Sequence, residues 1–209
     1  DLDVDFETRS DVTIPEYLKM IEYKTAVLVA AAMKMGAIVA QTSAENGDLI
    51  YDFGLNLGLA FQLQDDYLDA FGDPATFGKQ VGGDIIENKK TYLYLKAIEF
   101  ASSEEKDQLL QLFSVSLEDN TSKIEAVKTI FNTTGASKAT QQAIQDYTLK
   151  AFATLDKMNI GSDKKELLKT TSKQEYDKEL LQAQQSFYLA NQWTKIENNL
   201  YTQAVYYEP

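Results

Sequence analysis

Apolar and polar residues repeat with the period of an α-helix along almost the whole chain. The 209 residues include three prolines and ten glycines, and they lack the alternating β-branched runs that indicate strands. Helix starts are indicated by capping boxes, in which a Ser, Thr or Asp side chain and a carboxylate three residues later satisfy the first free amides. The pattern predicts an all-α protein.

Seven helices follow from these signals. Their predicted starts and extents are Thr13 with Glu16, running to about Gln41; residues 48–71, ending before Asp73 and Pro74; Asp84 with Glu87, running to about Ala101; Ser102 with Glu105; Ser122 with Glu125; residues 136–157 after Gly135; and a last helix capped by Ser162. Two stretches are predicted to be non-helical, the turn at Asn46 and Gly47 and the loop at residues 78–83.

The composition changes near Thr171, where Gln, Tyr and Asn become common. Ser172 with Glu175 predicts the start of a fresh helix there. Four apolar residues further on follow 4-3-4 spacing, which is typical of a packing or partner face; they are Leu189, Trp193, Ile196 and Leu200. We expect residues 1–170 to form one helical domain and residues 171–209 to be a divergent helical tail.

The composition excludes several kinds of function. The sequence has no cysteine and no histidine, so disulfides, thiolate or imidazole catalysis and His- or Cys-bound metals are ruled out. A metal would need oxygen ligands, as Mg²⁺, Mn²⁺ and Ca²⁺ do. The net charge of −12 argues against nucleic acid as a general partner, and no apolar run is long enough for a membrane span. The chain begins at Asp1 without a signal peptide, so we expect a cytoplasmic fragment.

The most informative segment is the acidic stretch from Phe61 to Asp69. On a helix, Gln62, Asp65, Asp66 and Asp69 fall within an arc of about 100°. Three carboxylates on one face repel, since two unit charges roughly 6 Å apart cost about 3 kcal/mol at an effective dielectric constant of ~20. Such a face is either fully solvated or neutralised by cations.

The surroundings of this face favour the cation. The helix that carries it is otherwise apolar, and Gly54 and Gly58 indicate close approach to neighbouring helices. Lys24 and Thr25 interrupt another very apolar helix, where a lysine either reaches out to solvent or points at an anion. Lys79 and, one turn into the next predicted helix, Lys89 and Lys90 add positive charge. Oxygen-bound Mg²⁺ with converging lysines is the chemistry of diphosphate binding.

Three motifs occur in an order that resembles the carboxyl-terminal half of trans-isoprenyl diphosphate synthases. They are Tyr23-Lys24-Thr25-Ala26, the run from Gly58 to Asp69, and Gly78-Lys79 followed by Gly83-Asp84 and Asn88-Lys89-Lys90-Thr91. A weaker likeness covers residues 1 to about 170. The resemblance implies an all-α bundle of the isoprenoid synthase type around a deep cavity, in a protein that is usually a homodimer.

The resemblance also implies an activity and roles for residues. The reaction is the Mg²⁺-dependent head-to-tail condensation of an allylic diphosphate with isopentenyl diphosphate. In the implied metal site, Asp65 binds the metal directly and Asp66 and Asp69 bind it through water. The diphosphate is bound by Lys24, Lys79 and Lys89. Thr25 and Gln62 line the region where the carbocation forms.

The sequence departs from the family pattern in one respect that matters for activity. The resemblance implies a first aspartate-rich motif and an isopentenyl diphosphate site that these 209 residues lack. We therefore expect the chain alone to be incompetent as a synthase. Two other interpretations stay open, a non-catalytic regulatory or interaction subunit of a prenyl synthase and a class I terpene cyclase.

Overall fold

The computed structural model describes residues 6, 9, 11–72, 81–115 and 120–182, with side chains as far as residue 172. Within these residues every regular element is helical, which confirms the predicted all-α class. The elements are α1 (Ile14–Ile21), a π-helical segment (Glu22–Ala26), α2 (Val27–Val39), α3 (Ala44–Phe71), α4 (Gly83–Ile86), α5 (Tyr92–Phe100), α6 (Ser103–Leu112), α7 (Thr121–Thr133), α8 (Ala136–Lys157) and α9 (Ser162–Gln182).

The first predicted helix is confirmed, with one irregularity inside it. Thr13 and Glu16 form the expected capping box, with Pro15 in the first turn. The helix continues from α1 through the π segment into α2 and ends at Val39, close to the predicted limit. The π segment contains Lys24 and Thr25, so the helix is locally distorted at the motif singled out from the sequence.

The predicted turn at Asn46 and Gly47 is wrong, because α3 already begins at Ala44. Ser43 caps the helix by accepting a hydrogen bond from the amide of Asn46. The Asn46 side chain is also fixed by a distant segment, since it accepts from the amide of Asn159 at 3.1 Å and donates to the carbonyl of Asn159 at 3.4 Å. These contacts hold residues 46 and 47 in the first helical turn.

The single helix predicted from Asp84 to Ala101 is also wrong. The structure instead has the short α4, a non-helical link at residues 87–91 and then α5. Asn88 has φ +57°, a left-handed conformation that an α-helix does not accommodate. Lys89 and Lys90 therefore lie in the link and not one turn into a helix.

The later starts are mostly as predicted. Ser102 and Glu105 form a capping box, and Gly135, with φ +85°, separates α7 from α8. The helix expected at Ser122 begins at Thr121 without a capping box. No fresh helix starts at Ser172, because α9 runs from Ser162 through it. The apolar stripe at residues 189–200 lies outside the described residues.

The long helix α3 lies at the centre and packs on α2, the π segment and α8. A Cβ on Gly58 would lie 2.7 Å from Cα of Ala26, and one on Gly54 would lie 2.9 Å from Cα of Ala30. These two glycines therefore allow the close approach that the sequence indicated. In the described part of the chain, no helix has the length and apolar content needed to cross a membrane.

Candidate active site

A cavity of about 150 Å³ opens between α1, the π segment, α3 and the link after α4. Three acidic residues and three lysines line it, together with buried apolar side chains of the main core. The charged residues are Lys24, Asp65, Asp66, Asp84, Lys89 and Lys90. Two aspartates of the acidic face, Asp65 and Asp66, thus lie around one cavity with Lys24, Lys89 and Lys90.

The π segment connects Lys24 and Thr25 to the acidic face of α3. Lys24 is exposed and lines the cavity. The hydroxyl of Thr25 donates to Oε1 of Gln62 at 2.8 Å. A π-helical bulge inserts one residue into a helix, so the residues before it and after it lie on different faces than in a regular α-helix. Such bulges are frequent at functional sites.

Asp66 accepts hydrogen bonds from two sides. Nε2 of Gln62 donates to one carboxylate oxygen at 3.1 Å, and the hydroxyl of Tyr17 donates to the other. Asp66 is 6% exposed and Tyr17 is 3% exposed, so this pair is buried at the base of the cavity. Gln62 therefore has both ends of its amide fixed, one by Thr25 and one by Asp66.

Tyr17 was not predicted as a site residue. It lies seven residues before Lys24, which is about two turns of the regular helix predicted from the sequence, and this spacing is the one signal that could have indicated it. A tyrosine at such spacing also fits an ordinary core position. Its hydrogen bond to Asp66 depends on packing between α1 and α3, which the spacing alone does not reveal.

Asp69 lies one turn beyond Asp65 and binds the start of α4. Its carboxylate accepts the amide of Asp84 at 2.9 Å, and its carbonyl accepts the amide of Gly82 at 2.6 Å. A Cβ on Gly83 would lie 3.1 Å from a carboxylate oxygen of Asp69, so the small residue makes this approach easy. Asp69 is thus linked to the cavity through Asp84.

The electrostatics of this corner favour a cation. The pKa of Asp69 is raised to about 6, first by burial and then by the negative charges of Asp84 and Asp65, while the hydrogen bond from the amide of Asp84 opposes the shift. Burial also opposes the charge of Lys89, but hydrogen bonds to Glu87 and Asp84 raise its pKa overall. The ionised form of Asp69 is therefore destabilised, and a bound cation would reduce that destabilisation.

The donors at this site are of the kind that Mg²⁺ uses. They are all oxygens, and within the described residues no three acidic side chains converge closely enough to hold a metal by themselves. Mg²⁺ is usually held by one or two carboxylates, with substrate phosphates and water completing the shell. The acids present here thus fit a magnesium ion that is shared with a phosphorylated ligand.

Most of the predicted site residues lie at the cavity. Asp65, Asp66, Lys24, Lys89 and Gln62 line it. Thr25 reaches it through Gln62, and Asp69 through Asp84. Lys79 lies outside the described residues. Lys90, which also lines the cavity, donates to the carbonyl of Phe6 at 2.8 Å.

Comparisons with known proteins find a matching family model and related sequences. The polyprenyl synthetase family model matches residues 1–134. A short chain isoprenyl diphosphate synthase of Methanothermobacter thermautotrophicus is 40% identical over 167 residues, which is 80% of this chain and 50% of that protein. The chain therefore spans about half the length of this relative.

Two solved structures share the fold. A geranylgeranyl pyrophosphate synthase superposes with a TM-score of 0.77 at 53% identity, over 82% of this chain and 53% of that one. A geranylgeranyl pyrophosphate synthase from Corynebacterium glutamicum, in complex with isoprenyl diphosphate and magnesium, superposes with a TM-score of 0.75 at 29% identity, over 82% of this chain and 48% of that one. The predicted bundle of the isoprenoid synthase type is thereby confirmed.

Proposed function

Because this chain belongs to the polyprenyl synthetase family, we propose that it forms the diphosphate-binding half of an isoprenyl diphosphate synthase. The reaction joins an allylic diphosphate head-to-tail to isopentenyl diphosphate. The observation that carries the proposal is the meeting of Asp65 and Asp66 with Lys24 and Lys89 around one cavity. Lysines and carboxylates that line one cavity suit an anionic diphosphate that arrives with a divalent cation.

The lysines bind the diphosphate of the allylic substrate. Lys24 contributes from the π segment and Lys89 from the link after α4, so they hold the phosphate groups from two different elements. The family resemblance implies the same role for Lys79, which lies outside the described residues. Since negative charge grows on the diphosphate as the carbon–oxygen bond breaks, ammonium groups fixed beside it stabilise the transition state more than the ground state.

Asp65 would hold Mg²⁺ directly, and Asp66 and Asp69 would hold it through water. Mg²⁺, when bound, supplies further neutralisation of the diphosphate charge as the leaving group departs. Burial, together with the negative charges of Asp84 and Asp65, raises the pKa of Asp69 to about 6, which supports a cation at this corner. Tyr17 and Gln62 fix the orientation of Asp66 while it does so.

Thr25 and Gln62 face the carbon end of the substrate. The hydrogen bond from Thr25 to Oε1 of Gln62 holds a carbonyl dipole beside the diphosphate site. A carbonyl oxygen and a hydroxyl oxygen next to an allylic cation stabilise its positive charge without reacting with it. Protein nucleophiles are not needed, which agrees with a sequence that has no cysteine or histidine.

Binding of geranyl diphosphate with Mg²⁺ to the 209-residue chain tests the proposal by calorimetry. Asp65→Asn and Lys24→Gln should each weaken binding at least about tenfold, because each removes a charge that faces the ligand. Matched controls are Asp52→Asn, on the exposed side of α3, and Lys34→Gln, which pairs with Asp48 on the surface. Equal affinity in the site variants and the controls would contradict the proposal.

We further propose that the chain alone does not complete the condensation. These 209 residues contain one aspartate-rich motif, where the family resemblance implies two. Incubation of the purified chain with geranyl diphosphate, labelled isopentenyl diphosphate and Mg²⁺ should therefore give no prenyl product above background. Robust product would show that one motif suffices, while the binding proposal would stand on its own test.

A further inference from the structure

Lys123 is a buried lysine that does not line the cavity, but it contacts the link from which two cavity lysines extend. It lies in the first turn of α7 and is 1% exposed. Its ammonium donates to Oδ1 of Asn88 at 2.6 Å and to the carbonyl of Val115 at 3.0 Å. The ring of Phe113 lies 5.9 Å from the same nitrogen. Two carbonyl oxygens and an aromatic ring thus enclose the charge.

This environment is costly for a lysine. Burial lowers the pKa of Lys123, because the interior disfavours the charged form. Within the described residues it forms no ion pair, and its hydrogen bonds go to the carbonyl oxygens of Asn88 and Val115. Methionine or leucine would fill the same space without the desolvation cost. A lysine therefore adds two hydrogen bonds here, and the one to Asn88 is the one that reaches the link after α4.

Asn88 occupies the position in the link where the backbone must be left-handed. Its φ is +57°, and asparagine tolerates this region better than most residues. Lys89 and Lys90 follow it directly and both line the cavity. A bond that fixes the Asn88 side chain at 2.6 Å also fixes the backbone from which these two lysines extend.

The residue after Lys123 contacts the other end of the same segment. A Cβ on Gly82 would lie 2.9 Å from Cδ1 of Ile124, and Gly82 has φ +88°. Consecutive residues of α7 thus contact both left-handed residues, Gly82 and Asn88, that flank α4. This contact makes α7 a support for the segment that contains Asp84 and leads to Lys89.

We propose that Lys123 is a positioning residue, which holds the left-handed turn at Asn88 so that Lys89 and Lys90 face the cavity. The turn is a property of the ligand-free protein. The consequence for ligand affinity rests on the proposed diphosphate site. Lys123 itself does not touch the ligand, since it is enclosed behind the link.

Hydrogen exchange in the ligand-free chain tests the turn. Three amides of the link donate to carbonyls of α4, Glu87 to Gly83, Asn88 to Ile85 and Lys89 to Asp84. In Lys123→Met they should exchange about tenfold faster, while amides in the middle of α5 keep their rates. Lys128→Met, on the same helix but half-buried beside Glu125, should leave all of these rates unchanged.

Calorimetry with Mg²⁺ and inorganic pyrophosphate tests the consequence. Lys123→Met should bind it about tenfold more weakly than wild type, and Lys128→Met should bind it normally. Asn88→Gly keeps the left-handed backbone but loses the side-chain acceptor, so it removes the same hydrogen bond from the other side. The double variant Lys123→Met with Asn88→Gly should be no worse than Lys123→Met alone, because the bond is lost only once.

The two measurements separate this inference from the proposed function. Link amides in Lys123→Met that exchange at wild-type rates, or that speed up only together with α5, would overturn the positioning role. Absence of pyrophosphate binding by the wild-type chain would count against the diphosphate site instead. In that case faster exchange confined to the link would still support the role of Lys123 in the turn.

Discussion

At the scale of single residues, different hydrogen-bond partners distinguish Asp66 from Asp69 on the acidic face. Asp66 is held by Tyr17 and Gln62, whereas Asp69 binds the amide of Asp84. The helical period placed these acids on one face, as the sequence predicts. The helical period did not predict the hydrogen-bond partners of these acids, because Tyr17 and Asp84 reach α3 only through tertiary packing.

Tyr17→Phe tests the bond to Asp66. The variant keeps the buried ring and removes the donor, so Asp66 is left with one fewer hydrogen bond in a buried place. We expect a loss of about 1–3 kcal/mol in the free energy of unfolding and weaker binding of Mg²⁺ with pyrophosphate. Urea unfolding and calorimetry measure the two effects. Tyr94→Phe, a buried tyrosine elsewhere in the core, is the control and should not affect binding. Unchanged binding in Tyr17→Phe would refute the positioning of Asp66.

Asp69→Asn tests whether negative charge is crowded at the end of α3. The side-chain amide oxygen of the variant can still accept the hydrogen bond from the backbone amide of Asp84. The variant has no negative charge at this position, so the cost of burial and of repulsion by Asp84 and Asp65 is removed. Without metal at pH 7, the variant should be as stable as wild type or slightly more stable. With Mg²⁺ and pyrophosphate it should gain less stability than wild type does. Thermal unfolding compares the two, with Asp52→Asn as the control on the same helix. A clear loss of stability in the metal-free variant would contradict the crowding.

At the scale of elements, the structure departs from the sequence prediction where a tertiary contact overrides a local signal. Capping boxes gave the starts of α1 and α6 correctly, since both partners of each box lie within one turn. The break between α4 and α5 was missed. It depends on a left-handed Asn88 held by Lys123, which is 35 residues away in the sequence. The π segment carries no local signal either, although it holds the lysine and threonine of the first motif.

Gly58→Ala tests the packing of the π segment on α3. A Cβ there would lie 2.7 Å from the backbone of Ala26, so the two elements must separate. We expect a loss of about 1–3 kcal/mol in the free energy of unfolding. The bond from Thr25 to Gln62 should lengthen as well, with weaker geranyl diphosphate binding. Urea unfolding and calorimetry give these values.

Gly36→Ala is the matched control for this helix pair. No atom lies within 4 Å of a Cβ at Gly36, so alanine should fit and stabilise α2 by about 0.5–1 kcal/mol through its higher helix propensity. A Gly58→Ala variant as stable as the Gly36→Ala variant would contradict the close approach of the elements.

At the scale of the whole molecule, the proposed function requires an acidic protein to bind an anion. The net charge is −12, yet three lysines gather at the cavity with three acids. The field of the rest of the chain repels a free diphosphate, whereas a divalent cation is attracted to it. The cavity alone, nearly neutral in its lining charges, cannot offset this repulsion at a distance. The cation and the diphosphate are therefore expected to stabilise the fold together and not separately.

Thermal unfolding of the complete chain checks this coupling. With both Mg²⁺ and pyrophosphate at a hundred times the dissociation constant, binding to the folded state should add about 2.7 kcal/mol to the free energy of unfolding. Either component alone should add much less, and excess EDTA should return the midpoint to that of the unliganded chain. Asp65→Asn should lose most of the joint effect, because it removes the carboxylate proposed to hold the metal. Full stabilisation by pyrophosphate in EDTA would mean that the lysines bind it without a cation, and the acidic face would then need another explanation.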